Sequence, residues 1–311
     1  MAKFFDISQW EEKQYFQTGG TRNKQVVEHP ETMELYFFKT SLKKGKMDYK
    51  YEFWSEIIAS EVGKSLGFNM LVYDIAYRQA EIGCLSRLMI DTNKEKLNEG
   101  INYLRGYNPQ YDPEDKSRYN EYTFSFIQKT LEYYDIRNMI EDIIRVIIFD
   151  SLIGNSDRHQ ENWGFIASNQ DEYASQQEKQ NIIFSPIYDN GSCLGREIEN
   201  EKVHKILHDS NMLNAYINRG KAEIRWNGVA LNHFKLIEKI KIEYDIFVTH
   251  EINRIIERYN EQTIKNIVTE VDSNLPKTLN QHKLPDERKE LIIKMLFLRL
   301  EKLKNTVKWM Q

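Results

Sequence analysis

Gly154-Asn155-Ser156-Asp157-Arg158-His159-Gln160-Glu161-Asn162-Trp163-Gly164, followed further on by Tyr188-Asp189-Asn190-Gly191, decides what kind of fold this chain can adopt. An Asp, an Asn five positions later and a second Asp after an intervening segment are the smallest set that supports metal-assisted phosphoryl transfer. Asp157 can orient a hydroxyl and take up its proton, while Asn162 and Asp189 offer hard oxygen donors to a Mg²⁺ ion bridging nucleotide phosphates. The competing interpretation is a surface loop in which Asn, Ser, Asp and Gly serve only as turn formers.

The flanks argue for the first interpretation. Ile140 to Ile153 is strongly apolar, with Glu141, Asp142, Arg145 and Asp150 marking a polar side, and predicts a largely buried helix ending at Gly154. Trp163 to Ser168 then predicts a strand and Asn181 to Tyr188 its partner, joined by the polar stretch Asn169 to Gln180. A buried helix would thus deliver the loop, and a hairpin would carry Asp157, Asn162 and Asp189 to one end. Protein kinases space a catalytic-loop Asp and Asn in the same way and follow them with an Asp-x-Gly metal ligand.

Bulk properties set wide bounds. With 311 residues the chain is long enough for two lobes with separate cores. A net charge of −4 gives no global reason to expect nucleic-acid binding. The two cysteines, Cys84 and Cys193, suggest no disulfide framework and fit a reducing compartment. Met1 to Ser8 contains no apolar signal core, and no segment has the apolar length of a membrane span. A cytoplasmic protein is expected, with export by a non-classical route left open.

The N-terminal half offers the parts of a nucleotide cover. Thr18-Gly19-Gly20-Thr21-Arg22-Asn23-Lys24 is small, flexible and cationic, and its backbone N–H groups could approach phosphates, although a Gly-Gly pair also serves as a plain turn. Gln25 to Val27 and Glu34 to Thr40 predict a hairpin whose second strand carries Lys39. Tyr51 to Leu66 predicts an amphipathic helix closed by Gly67. On it Glu56, flanked by Phe53, Trp54, Ile57 and Ile58, is favoured over Glu61 to face inward and pin Lys39, with Glu52 as second choice. Asn69 to Tyr77 and Ile82 to Ile90 predict two further strands, the second placing Arg87, Leu88 and Met89 against a nucleotide base.

These residues carry a family resemblance. Phe53-x-x-Glu56 to Ser65-Leu66-Gly67, then Leu152-Ile153-Gly154-Asn155-x-Asp157-Arg158-His159-x-x-Asn162-Trp163-Gly164-Phe165, then Pro186-Ile187-Tyr188-Asp189-x-Gly191-Ser192-Cys193-Leu194 together resemble the HipA-like Ser/Thr kinases, in particular the compact, CtkA-like branch without an extra N-terminal subdomain. The likeness runs from about residue 18 to about residue 240 and is most specific between 149 and 195. It implies an α+β, two-lobed protein-kinase-like fold. A small antiparallel-sheet N-lobe would span residues 1–92 and a mainly helical C-lobe residues 93–311. It also implies ATP and Mg²⁺ as cofactors, Asp157 as catalytic base, Asn162 and Asp189 as metal ligands, and Lys39 as the phosphate-binding lysine. Members of the family modify a hydroxyl in their glycine-rich loop, which makes Thr18 and Thr21 autophosphorylation candidates. The Asp189-Asn190-Gly191 turn departs from the Asp-Phe-Gly of typical protein kinases, keeping the metal ligand and losing the phenylalanine switch.

Type II phosphatidylinositol kinases share an Asn-x-Asp-Arg-x-x-x-Asn-Trp loop, so the acceptor is less determined than the transfer. The chain lacks a cysteine-rich palmitoylation tract or a basic amphipathic helix, which favours a protein hydroxyl over a lipid one. A growth-arresting toxin with a cognate antitoxin or regulator fits the resemblance. A nucleotide-binding pseudokinase is the third alternative, opposed by the joint presence of Lys39, Asp157, Asn162 and Asp189. His159 is expected to support the loop backbone, Arg158 to pair with a carboxylate or a phosphorylated residue, and Cys193 to pack as a small residue. Arg196 to Arg225 reads as a polar segment in the place of an activation segment, and Phe234 to Tyr259 and Glu287 to Lys304 read as helices.

Overall fold

The computed structural model of the chain describes residues 1–14, 24–45, 47–168 and 182–308. Strands β1 (Phe4–Asp6), β2 (Glu11–Glu12), β3 (Lys24–Glu28) and β4 (Leu35–Thr40) come first, then the small pair β5 (Lys43–Lys44) and β6 (Met47–Asp48). Helix α1 (Glu52–Ser65), strands β7 (Asp74–Arg78), β8 (Glu81–Arg87) and β9 (Glu95–Glu99) follow, and then helices α2 (Gly100–Tyr107), α3 (Phe124–Tyr133) and α4 (Ile140–Ile153). The remainder holds β10 (Gly164–Ser168), β11 (Ile182–Phe184), α5 (Asn200–His208), α6 (Ser210–Arg219), α7 (His233–Arg258), α8 (Glu261–Thr269) and α9 (Asp286–Lys308). No helix among the described residues is long and apolar enough to cross a membrane.

The chain divides into two compact units, each assembled from separate stretches of sequence. The first comprises Met1–Leu88, Asp189–Ile217 and Glu257–Arg299. Its sheet has the order β1-β7-β8-β4-β3-β2, antiparallel except where β1 runs parallel to β7. Side chains alternate across a strand, so Tyr36 and Phe38 of β4 fall on one face and Lys39 on the other. Phe38 is buried in a cluster with Ile7, Trp10, Val27, Ala76 and Leu85, against which Tyr36 packs. Each large apolar side chain fully buried in this way contributes on the order of 1.5–3 kcal/mol. Gly83 lets β8 approach β4 at the lysine, since a Cβ there would lie 2.2 Å from the Lys39 carbonyl oxygen.

Helix α1 follows its sequence prediction closely. Phe53, Trp54, Ile57, Ile58 and Val62 are buried, and Gly67, at φ +78°, stops the helix in the left-handed conformation that glycine adopts most readily. The burial extends further round the helix than an amphipathic pattern requires, and takes in both Glu52 and Glu56.

The second unit comprises Met89–Tyr188, Asn218–Ile256 and Leu300–Gln311. Its three-stranded antiparallel sheet has the order β11-β10-β9, so the predicted β10–β11 pair gains a third strand from Glu95–Glu99. Helix α4 spans Ile140–Ile153, and Gly154 caps it in the left-handed conformation at φ +72°, its N–H donating to the Asp150 carbonyl at 2.7 Å. Trp163 anchors the far end of the loop: its indole N–H donates to the Tyr122 hydroxyl at 2.8 Å. Its ring leaves no room for a Cβ on Gly100, which would meet it at 2.3 Å.

Two sequence expectations are modified. The polar segment after Arg196 forms two helices, α5 and α6, whose Val203, Ile206, Leu207, Leu213 and Ile217 are buried. The helix expected over Phe234 to Tyr259 is present as α7 but is interrupted at Tyr244, whose backbone is non-helical (φ −123°, ψ 37°).

Candidate active site

In the first unit a lysine on a central strand meets two carboxylates. The Lys39 ammonium donates to Glu56 Oε1 at 2.5 Å and to Asp189 Oδ1 at 2.7 Å. Lys39 and Glu56 are 7% and 1% exposed, so the three charges interact in a medium of lower polarity than water, where pairing is strong and an unpaired charge costly. The β3–β4 register sets Lys24 directly opposite Lys39. Like charges facing each other across a sheet repel, and Asp189 relieves this by pairing with both, Lys24 Nζ lying 3.9 Å from its Oδ2.

The turn that carries Asp189 is fixed by its backbone. Asp189 has φ +53°, a left-handed conformation that Asp tolerates better than most residues. Its N–H donates to the Tyr73 hydroxyl at 3.3 Å, and the Asn190 N–H donates to Glu56 Oε2 at 2.7 Å. Glu56 therefore uses one carboxylate oxygen on the lysine and the other on the turn. Burial, and then the negative charges of Glu56 and Asp189, push the Tyr73 phenol well above its ordinary range, so Tyr73 stays a neutral partner at any physiological pH. Glu52, four residues before Glu56 and equally buried, pairs instead with Arg196 and accepts the Leu42 N–H at 2.8 Å.

In the second unit the loop after α4 is built on one buried ion pair. Arg158 Nε donates to Asp150 Oδ2 at 3.0 Å and Nη2 to Asp150 Oδ1 at 2.8 Å, a forked geometry matched to a carboxylate. Its Nη1 donates to the carbonyls of Asn162 at 2.8 Å and Tyr188 at 2.6 Å. Arg158 thus ties the end of α4 to the Asn162 backbone and to the residue preceding Asp189. Asp150, read from sequence as part of the polar side of α4, is 4% exposed and is the internal partner of this arginine.

The remaining loop residues are held by short local bonds. Asn155 donates through Nδ2 to Asp150 Oδ1 at 3.1 Å and accepts the Asp157 N–H at 3.2 Å. Asn162 donates its amide to the Asp157 carbonyl at 2.8 Å, which leaves its amide oxygen as the group it can offer a hard cation. His159 Nδ1 accepts the Glu161 N–H at 3.3 Å, the backbone-supporting role expected of it. Cys84 and Cys193 are buried and not joined in a disulfide, their thiols facing the carbonyls of Lys39 and Ser55.

Glu223 was not anticipated. Burial raises its carboxyl above the ordinary value, and the negative charge of Asp157 raises it further, with Arg225 and His159 opposing. Its neighbours in sequence are ordinary polar and apolar residues, and only the fold brings it into the field of Asp157. Nor did the sequence carry a signal for Tyr73, an aromatic in a segment read as strand.

The proposed base-contacting residues are arranged as follows. The Arg87 side chain is exposed and pairs with Glu34 at 2.8 Å. The Leu88 N–H donates to the Leu35 carbonyl at 2.9 Å, extending the β4–β8 pairing, and Met89 is half-buried. Thr18, Gly19, Gly20 and Thr21 lie outside the described residues.

Comparisons with known proteins bear on the family and the fold. Residues 16–278 match the family of HipA-like C-terminal domains. The serine/threonine-protein kinase CtkA of Helicobacter pylori is 27% identical over 283 residues, covering 84% of this chain and 78% of that protein. The crystal structure of the H. pylori proinflammatory kinase CtkA superposes with a TM-score of 0.78 at 20% identity, covering 99% of this chain and 97% of that one. HipA of Shewanella oneidensis, solved with HipB and operator DNA, gives a TM-score of 0.50 at 12% identity over 97% of this chain and 67% of its own. The mixed α+β fold is therefore the HipA-like fold in its CtkA-like form, and the chain belongs to the HipA-like C-terminal domain family.

Proposed function

We propose that this protein is an ATP- and Mg²⁺-dependent serine/threonine protein kinase. The observation that carries the proposal is the Lys39–Glu56 pair at 2.5 Å with Asp189 on the same ammonium, in a chain of this family. A strand lysine pinned by a helix glutamate is the arrangement protein kinases use to hold nucleotide phosphates. Residues 1–92 would serve as the nucleotide-covering part, with Gly19, Gly20 and Thr21 over the phosphates and Arg87, Leu88 and Met89 at the base. Residues 93–311 would carry the catalytic loop.

The donor set suits magnesium. Asn162 and Asp189 present oxygen ligands, the chemistry Mg²⁺ prefers, and Asp189 sits where Lys39 and Lys24 already balance its charge. When bound, the ion would neutralise charge on the phosphates and help align them. Asp157 would accept the proton of a Ser or Thr hydroxyl as its oxygen bonds to the γ-phosphorus. The bond from that phosphorus to the β–γ bridging oxygen breaks, and ADP leaves with the electron pair. As the nucleotide enters, the Lys39 ammonium would exchange Asp189 for phosphate oxygens, while Glu56 keeps the lysine in place.

A protein acceptor is preferred to a lipid one because the similar H. pylori protein is a serine/threonine-protein kinase. A cytoplasmic toxin or effector role is proposed with it. A regulatory protein partner of the antitoxin kind is suggested by the Shewanella relative, whose structure contains HipB. Autophosphorylation at Thr18 or Thr21 would add about −1.5 to −2 charges beside the nucleotide site and shut it.

Incubation with γ-labelled ATP and Mg²⁺, a cell lysate and phosphoinositide vesicles in parallel tests the proposal. Label should enter protein, and Asp157→Asn should reduce it by about 10²–10⁴-fold while nucleotide still binds. Label in lipid would establish the lipid-kinase alternative, and ATP binding without label in either would establish the pseudokinase one. Mass spectrometry of the same material locates any phosphate within residues 18–24.

A further inference from the structure

Outside the residues assigned to phosphotransfer, the described residues hold one group of side chains with the composition of a metal site. His204 and His208 lie four apart on α5 and so share a face. Their rings are 4.5 Å apart between centroids. Glu287, in the first turn of α9, approaches them, with Oε1 2.7 Å from His204 Nδ1. One ligand atom from each of the three residues falls within 4.8 Å of the others, and all three side chains are exposed. Ligands of a tetrahedral zinc, with bonds of about 2.0–2.1 Å, stand about 3.3 Å apart. Small rotations of exposed side chains reach that spacing from the present one.

The backbone under these side chains is fixed. Val203, Ile206 and Leu207 bury the other face of α5. Arg288, next to Glu287, donates to the carbonyls of Gly195 at 3.1 Å and Ile198 at 2.5 Å and to Asn200 Oδ1 at 2.9 Å, holding the entry to α5. Lys294, further along α9, donates to the Leu207 carbonyl at 2.7 Å and holds its end. Helix α9 therefore grips α5 at both ends, and the three candidate ligands project from a preorganised pair of helices.

We propose that His204, His208 and Glu287 bind a borderline divalent transition-metal ion of the zinc class, with water completing its coordination. Two imidazoles and one carboxylate select such ions over Mg²⁺, which prefers oxygen ligands alone. The bound ion fastens α5 to the start of α9, adding to the hold of Arg288 on the segment that follows the Asp189 turn. This site is separate from the proposed Mg²⁺ ligands and does not depend on the phosphotransfer proposal.

The test uses the full chain stripped of metal by a chelator, kept in millimolar Mg²⁺ and titrated with Zn²⁺ against a chromophoric competitor, alongside thermal unfolding. One equivalent of Zn²⁺ should bind and raise the melting temperature. His204→Ala, His208→Gln and Glu287→Gln should each weaken binding by about tenfold or more, at least the loss seen when an outer-shell partner of a metal is removed. His204→Ala/His208→Gln should abolish both the binding and the thermal shift. Absence of stoichiometric Zn²⁺ uptake overturns the proposal and leaves His204–Glu287 as a hydrogen-bonded contact only. Uptake that the double variant retains, or that Mg²⁺ suppresses, overturns it equally.

Discussion

The buried cluster around Arg158 in one unit and that around Lys39 in the other contain the same kinds of charge and are closed to different degrees. Arg158 is 2% exposed and spends its donors on Asp150 and two backbone carbonyls that are themselves part of the chain's path. Lys39 is held between Glu56 and Asp189, and the Asp189 side chain keeps 16% of its surface in solvent. A guanidinium has a rigid planar fork that fixes its partners, whereas an ammonium is a point charge that can change them. Arginine stands where the partner is permanent, and lysine where, on the proposed function, a nucleotide must displace one. On that proposal the first cluster is scaffold for the loop, and the second is poised for exchange.

The same substitution in each cluster should separate these roles most sharply. Asp150→Asn leaves a guanidinium buried without its counter-charge and should lower stability by about 3–5 kcal/mol. Asp189→Asn leaves Lys39 with Glu56 as its counter-charge and should cost less, about 1.5–3 kcal/mol for one charge-assisted bond. Phosphotransfer and Mg²⁺-dependent nucleotide binding should nevertheless fall in Asp189→Asn. Urea unfolding and the labelled-ATP assay measure the two axes. Equal losses of stability would erase the distinction between scaffold and exchangeable cluster.

A smaller effect tests the two buried glutamates of α1. Glu56 joins Lys39 to the Asn190 N–H, and Glu52 joins Arg196 to the Leu42 N–H. Either Glu→Gln change keeps shape and loses one charge-assisted bond, a cost of about 1.5–3 kcal/mol. Arg196 also lies over the Tyr49 ring, 4.2 Å from its centroid, which softens the loss at Glu52. Only Glu56→Gln should raise the KM for ATP, because only it changes the hold on Lys39. Matching rises in both variants would mean that the helix, rather than this pair, sets nucleotide affinity.

The sequence made the exchangeable cluster more legible than the scaffold. Glu56 stood out because Phe53, Trp54, Ile57 and Ile58 surround it, and Lys39 because it ends an aromatic strand next to a candidate helix. Asp150 did not stand out. A single acid at the end of an apolar helix reads as its solvent side, and only the fold reveals that Arg158 folds back onto it. Helices α5 and α6 were obscured by composition, since in α5 the apolar positions Val203, Ile206 and Leu207 are outnumbered by polar and charged neighbours taken together. The parallel pairing of β1 with β7 escaped for another reason. A strand of three residues, Phe4–Asp6, is too short to show an alternating period, and its partner lies about seventy residues away. Local pattern reports on local structure, whereas a buried charge is explained by whatever the chain brings to it.

The smallest expected effect concerns Glu223 and asks whether charge near Asp157 serves stability or something else. Its carboxyl is raised above the ordinary value of 4.5 by burial first and by the Asp157 charge second. A carboxyl that holds its proton more tightly when folded than when unfolded lowers stability once ionised. In the window between the unfolded and the raised folded value, the native state binds more protons, so stability falls as pH rises through it. Above that window the penalty is constant, and below it the penalty vanishes. Glu223→Gln removes the charge and keeps the shape, so it should stabilise the protein at neutral pH. The gain should shrink as pH falls toward 4.5, where the wild-type carboxyl is increasingly protonated. Denaturant unfolding of both proteins at several pH values between neutral and mildly acidic measures it. A gain independent of pH would assign the effect to packing or hydrogen bonding, and a loss at neutral pH would show that Arg225 and His159 outweigh Asp157. A stabilised variant with weaker phosphotransfer would instead mark Glu223 as a charge kept beside Asp157 at a cost to the fold, the counterpart in this unit of the partly buried Asp189.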